Sequence, residues 1–234
     1  MRRAFGRSLA LLAQAAALAC LGRAALAGTV ELPLQIGGAY SVPVASLTEE
    51  RSRATVRQQY DFSCGSAAIS TLLTHHYAKP VNEQAVFEAM FESGDREKIR
   101  VEGFSLLDMK RYLESLGFEA DGFEAPLDSL VSAGIPAVVL LNENGYNHFV
   151  VVKGMREGRV LFGDPASGTR SLPRAAFERK WVNQILFVVS NRQELARFNI
   201  ATDWQAAPAA PIGHASGTGA SAGIGLPKFG SADF

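Results

Sequence analysis

Apolar positions along the chain follow two different rhythms. Between Cys64 and about residue 133 they recur at helical intervals; after Gly134 they gather in short β-branched or aromatic runs. In the first region Ile69, Leu72, Leu73 and Tyr77 form a core-facing stripe behind Cys64. Ala85, Val86, Ala89 and Met90 form a second stripe on a helix that Asn82 caps and Gly94 ends. Ser105 with Asp108 three residues on is a capping-box-like start to a helix through Leu116, closed by Gly117. A short helix fits residues 126–133, and the polar stretch 93–102 reads as a mobile loop. In the second region, residues 136–141, 148–152, 159–162 and 185–189 read as strands, with turns at 142–145, 155–158 and 163–168. One more helical turn over 177–181 packs Phe177 and Trp181 on the sheet. Helices first and an antiparallel sheet afterwards is the α+β pattern.

The ends of the chain read differently. Arg2, Arg3 and Arg7 precede an apolar run over 9–21, and Ala25-Leu26-Ala27 fits a small-x-small cleavage site, so residues 1–27 are expected to be a secretory signal peptide. The run is shorter than the ~20 apolar residues of a membrane span; an uncleaved membrane anchor is the alternative. Cys20 follows Ala17-Leu18-Ala19, a poor lipoprotein box. Residues 28–52 form an exported N-terminal segment in which Val30, Leu32, Leu34 and Ile36 alternate like an edge strand and Gly37-Gly38 marks a turn. Residues 53–200 are the folded domain, entered through an extended stretch at 53–59. Residues 201–234, rich in Ala, Gly, Ser and Pro, are expected to be a disordered tail that buries too little surface to offset chain entropy. The expected location is therefore the periplasm.

Composition narrows the function. Lys plus Arg and Asp plus Glu both number 23, so there is no basic excess for nucleic acid and no acidic tract for a charged polymer. There is no Walker loop, hence no ATP site, and no dinucleotide fingerprint, so no cofactor is implied.

Cys64 carries the chemistry. It opens a helix, where unpaired backbone N–H groups and the helix dipole favour thiolate, and with residues 1–27 removed it is the sole cysteine, so no disulfide can form within the chain. His148 begins a strand after a turn, where its ring can point into a cleft, and Asp164 ends the next strand. If those strands form a hairpin, their rims coincide and the carboxylate can accept the imidazole N–H. A nucleophile whose base is oriented by a third group is the logic of covalent acyl transfer. Gln58, six residues before Cys64, can offer its amide to a developing oxyanion, with the Cys64 backbone N–H as second donor. Each residue alone also has an ordinary reading: a buried small hydrophobe, a rim histidine, an Asp-Pro turn, a solvated glutamine.

Together these residues resemble the peptidase C39 family, the papain-like cysteine peptidase domains of bacteriocin-exporting transporters. The similarity runs from Gln58 and Cys64-Gly65 through Gly103-Phe104-Ser105, Leu116-Gly117-Phe118 and Pro136-Ala137 to His148-Phe149 and Asp164-Pro165, with Phe177 and Trp181 fitting the closing segment. The resemblance implies a papain-like fold, catalytic Cys64, His148 and Asp164, oxyanion residue Gln58, and cleavage of a peptide, often after a double glycine. Two features depart from the family's usual form. Ser63 replaces the Asp that usually precedes the cysteine, which bears on substrate preference, and the transporter parts are absent. The chain instead looks like standalone exported members that accompany secretion systems, including those for functional amyloid. The implied partners are an exported peptide or protein substrate and a secretion apparatus at the membrane. A catalytically silent peptide-binding module, a cell-wall amidase or transglutaminase-like acyl transferase, and a metal site built on Cys64, His148 and Asp164 are the alternatives; His75 and His76, adjacent on a helix, diverge.

Overall fold

The computed structural model describes residues 28–34 and 38–208. The expected signal peptide, most of the expected Gly37-Gly38 turn and the chain beyond residue 208 lie outside the described residues. Two units are present. In the first, β1 (Gly28–Leu34) and β2 (Gly38–Val44) pair as an antiparallel hairpin, so the expected strand over 30–36 has a partner that alternation alone did not reveal.

At the start of the second unit is helix α1 (Leu47–Arg53), most of which falls within the segment expected only as an exported N-terminus. After a loop come α2 (Cys64–Thr71), running into a π-helical turn at Leu72–His76, then α3 (Glu83–Ser93), α4 (Arg96–Glu102) and α5 (Leu106–Ser115). The polar stretch 93–102 is therefore mostly helical rather than a loop. The Asp95 side chain accepts the Lys98 N–H at 3.2 Å as an N-cap, and the single apolar anchor Ile99 is buried. The α5 capping box forms as expected, with Ser105 and Asp108 bonding reciprocally. On α3 the buried positions are Glu83, Val86 and Met90, while Ala85 and Ala89 face outward. The buried stripe is thus rotated from the one anticipated.

The sheet has six antiparallel strands in the order β3-β8-β4-β5-β6-β7: β3 (Ala120–Glu124), β4 (Ala137–Glu143), β5 (Tyr146–Arg156), β6 (Arg159–Asp164), β7 (Gly168–Pro173) and β8 (Ile185–Val189). Short helices α6 (Asp128–Ala133) and α7 (Arg174–Glu178) connect strands. β4 and β5 turn through Asn144-Gly145, both with positive φ (55° and 89°), the mirror-image turn that an Asn-Gly pair favours. The β5–β6 pairing carries a bulge at Lys153: Val152 faces Phe162, yet Gly154 faces Leu161.

Both faces of the sheet are covered. Phe149 and Val151 of β5 pack with Ile69, Leu72, Met109 and Leu113 beneath the N-terminal helices. Val150 and Val152 pack with Leu130, Phe177 and Trp181 beneath α6 and α7. This is the expected α+β architecture of helices on an antiparallel sheet, with a second helical layer added. The fold also runs past residue 200. Ala201–Gln205 forms α8, Trp204 packs with Leu161 and Ala207, and the Arg156 guanidinium stacks over the Trp204 ring at 4.8 Å. The boundary expected at 200 therefore falls later, because Trp204 supplies the apolar surface that the composition of the rest lacks. Among the described residues no helix is long and apolar enough to cross a membrane.

Candidate active site

The loop before α2 is shaped by Ser63. Its hydroxyl donates to the Tyr60 carbonyl (3.0 Å) and accepts the Tyr60 N–H (3.1 Å), closing a tight turn that delivers Cys64 as the first helical residue. Gly65 lets the helix start approach its neighbours closely: a Cβ there would sit 2.8 Å from Met109 Cε and 2.9 Å from Phe104 Cβ. Cys64 is consequently 7% exposed. Burial pushes its thiol up, and the Asp164 charge adds to this; the backbone N–H groups of Phe149, Gly65 and Cys64 itself pull the other way. The helix start does favour thiolate, as position alone suggested, while desolvation is the larger influence and acts in the opposite direction.

His148 lies on β5, adjacent in sequence to the Phe149 N–H that faces the sulfur, so thiol and imidazole share one end of the sheet. Its strand end is fixed by Asn142 Nδ2 donating to Asn147 Oδ1 at 2.7 Å and by the Gly145 N–H donating to Asn142 Oδ1 at 3.1 Å. His148 is 5% exposed, and among the described residues neither ring nitrogen has a hydrogen-bond partner. Asp164 ends β6 at the same rim, with Oδ2 3.8 Å from His148 Nε2. That is ion-pair distance and too long for the expected hydrogen bond. Other donors hold the carboxylate instead: Ala166 N–H at 2.8 Å on Oδ1, with Ser167 Oγ–H at 2.7 Å and Arg170 Nη1 at 2.8 Å on Oδ2. Burial works to raise the Asp164 carboxyl, but these donors, led by Ser167, hold it below the usual carboxylate range.

Gln58 joins the same end. Its backbone N–H donates to the Pro165 carbonyl at 3.0 Å, next to Asp164. Its side-chain Nε2 donates to the Tyr60 and Asp61 carbonyls at 3.1 and 3.5 Å, so the amide is turned onto its own loop. The structure thus gathers Gln58, Cys64, His148 and Asp164 at one rim while leaving two of the expected contacts unmade. Motif reading missed Ser167, Arg170 and Glu143. Arg170 bridges Asp164 to Glu143 (3.3 Å), and Lys180 also pairs with Glu143 at 2.7 Å. Arg170 stands on the edge strand β7, and no local signal marks it. Glu143, His148 and Asp164 do bring potential ligand atoms within 4.8 Å of one another. The two cations on Glu143 oppose a metal ion there. Of the alternative metal set, Cys64 is not among these three, and His75 and His76 sit on the π-helical turn.

Beside the site an apolar groove of roughly 410 Å³ is lined by Leu106, Leu107, Val138, Leu140, Phe149 and Ile185, among others. Phe149 belongs both to the groove and to the sulfur's surroundings.

An antiparallel sheet carrying a histidine and an aspartate at one rim, opposite a helix-initial cysteine, is the arrangement of a cysteine-type peptidase. The family model described as the peptidase C39 family matches residues 52–193, more than half the chain, and the chain belongs to that family. Over 164 residues it is 42% identical to the "Probable functional amyloid protease FapD" of Pseudomonas aeruginosa, covering 70% of this chain and 72% of that protein. The protein of the same name from Pseudomonas fluorescens matches to the same extent. Among solved structures, the peptidase domain of Streptococcus ComA, a bifunctional ABC transporter involved in a quorum-sensing pathway, is similar with a TM-score of 0.50. At 18% identity, over 58% of this chain and 97% of that one, the likeness is one of fold.

Proposed function

We propose that the protein cleaves an exported polypeptide, with Cys64 as nucleophile, His148 as acid and base, Asp164 as its orienting carboxylate and Gln58 as oxyanion donor. The reading rests on one observation, the convergence of these four residues at a single rim of the sheet. The Cys64 proton passes to His148, and Sγ adds to the scissile carbonyl. The oxyanion so formed takes hydrogen bonds from the Cys64 N–H and from a Gln58 amide turned off its own loop. His148 then protonates the leaving amine, and water, giving a proton back to His148, hydrolyses the thioester to a carboxylate and the free thiol. Asp164, kept anionic by Ser167, Ala166 and Arg170, stabilises the imidazolium by closing the 3.8 Å gap.

The apolar groove supports a substrate that presents apolar side chains on the Phe149 side of the sulfur. The relatives' name, functional amyloid protease, supports an amyloid-forming protein as that substrate; its export, a secretion apparatus at the membrane and a periplasmic location belong to the proposal through the signal-peptide-like start of the chain and the family resemblance. Cleavage after paired glycines belongs to the same proposal through the family resemblance. Comparison of wild type with Cys64→Ala in the exporting strain tests it. Unprocessed or unsecreted exported protein accumulates in the variant, and mass spectrometry locates the new terminus in wild type; identical profiles would remove the peptidase reading.

Two observations favour a second reading, a peptide-binding module without turnover: burial pushes the Cys64 thiol up, and among the described residues both imidazole nitrogens are unpartnered. Iodoacetamide labelling of Cys64 near neutral pH, faster than a free thiol of pKa ~8.5 permits, would exclude it.

A further inference from the structure

Tyr146 is the first residue of β5, two positions before His148. Its ring lies nearly parallel to the imidazole, with centroids 5.8 Å apart and planes inclined by 19°. Its hydroxyl crosses the cleft and donates to the Asp61 carbonyl at 2.8 Å. That carbonyl is one of the two that Gln58 Nε2 also reaches, but at the longer distance of 3.5 Å. A single side chain therefore touches both the loop bearing the amide and the ring of the base.

We propose that Tyr146 is a positioning residue for the reaction above: by holding the Asp61 carbonyl and stacking on His148, it sets the Gln58 loop against the imidazole and weakens the hold of that carbonyl on the Gln58 amide, which must turn toward the oxyanion. This rests on the peptidase reading. The side chain is 52% exposed, so it adds little to the core, and its bond spans 85 residues of sequence rather than bracing a local turn. Burial first, then the charges of Cys64, Asp61 and Asp164, raise its phenol, while the Gln58 amide interacts with it and acts in the opposite direction. The net rise keeps it a protonated donor, and the same interactions put the hydroxyl among the site residues.

The test separates oxyanion stabilisation from thiol reactivity. A peptide aldehyde with an apolar residue ahead of Gly-Gly adds the Cys64 thiol reversibly across its carbonyl; the S–C bond forms and the carbonyl oxygen takes the thiol proton. Its affinity is read from protection of Cys64 against iodoacetamide in the full chain. Tyr146→Phe is expected to weaken protection about ten-fold, the scale of one hydrogen bond. The uninhibited alkylation rate should stay within about two-fold and the melting temperature unchanged. In a Gln58→Ala background Tyr146→Phe is expected to add nothing, since its effect passes through that amide. Undiminished protection in Tyr146→Phe, or additive losses in the double variant, would overturn this proposal alone. A wild-type thiol that neither alkylates rapidly nor takes the aldehyde would overturn the peptidase reading and this proposal with it.

Discussion

Strand β5 buries two polar side chains five residues apart, and the protein treats them in opposite ways. Lys153 is fully buried and answered on several sides: Asp203 Oδ2 at 2.8 Å, the Ala54 carbonyl at 2.7 Å and Thr169 Oγ1 at 3.4 Å. These contacts tie the C-terminal helix α8 and the entry loop onto the centre of the sheet. His148 is almost as deeply buried, yet neither nitrogen has a partner. An unsatisfied buried polar group costs about 1–3 kcal/mol. The folded state tolerates that cost at His148 and avoids it at Lys153. One end of the strand is built for cohesion, and the other, in the proposed reaction, offers its ring nitrogens to the reacting groups.

The contrast can be broken most directly at its reactive end. His148→Ala is expected to lower turnover of the exported substrate by about a thousand-fold or more, because triad members act as a unit. Its melting temperature should hold or rise, since the unsatisfied group is gone. A melting curve that collapses would place His148 with the cohesive residues. At the other end, Asp203→Ala leaves a buried ammonium without its counter-ion and is expected to cost about 3–5 kcal/mol in urea unfolding. Cys64 alkylation per folded molecule should be unchanged; a matching fall in labelling would show that the two ends are coupled.

A smaller effect comes from His76, which has one nitrogen satisfied and one not. Its Nδ1 pairs with the Arg197 carbonyl at 2.6 Å, Nε2 has no partner, and burial, aided by nearby Lys153, pushes its pKa down to about 3. The unfolded chain therefore binds more protons below the ordinary histidine value of 6.5, so stability is lost as pH falls from there toward 3. Between pH 7 and pH 5 the loss from this group is about 2 kcal/mol by linkage. Urea midpoints at the two pH values measure it, and His76→Phe should flatten the slope. Asp164, whose pKa is also depressed, adds a loss in the same direction only at lower pH, as carboxylates protonate.

How much of this was legible beforehand depended on whether the signal was local. Cys64, the Ser105–Asp108 box, the Asn144-Gly145 turn and the 185–189 strand declare themselves in adjacent residues, and each stands where expected. α4 escaped notice because Ile99 is its one buried residue, too little for a period to show. β3 and β7 escaped because they are edge strands; β3 buries only Ala120, so neither alternates cleanly. The missed site residues share a different cause. Arg170 and Tyr146 act across 6 and 85 residues of sequence, on Asp164 and Asp61, and their value lies in the partner that folding supplies. Burial around Cys64 is likewise collective, so helix position showed the N–H groups that favour thiolate and not the desolvation that opposes them.

The irregularity at Lys153 sets the phase of the whole site. Residues opposite one another in an antiparallel pair point to the same side, and each strand alternates with period two. With the extra residue, Val151 faces Gly163, so the next position along β6, Asp164, falls opposite Val150 and shares a side with His148. Carried straight through from the Gly154–Leu161 pairing, the ladder would set Asp164 opposite Val151 instead, and the carboxylate would emerge behind the sheet from the imidazole. One residue of surplus chain decides whether imidazole and carboxylate share a side of the sheet.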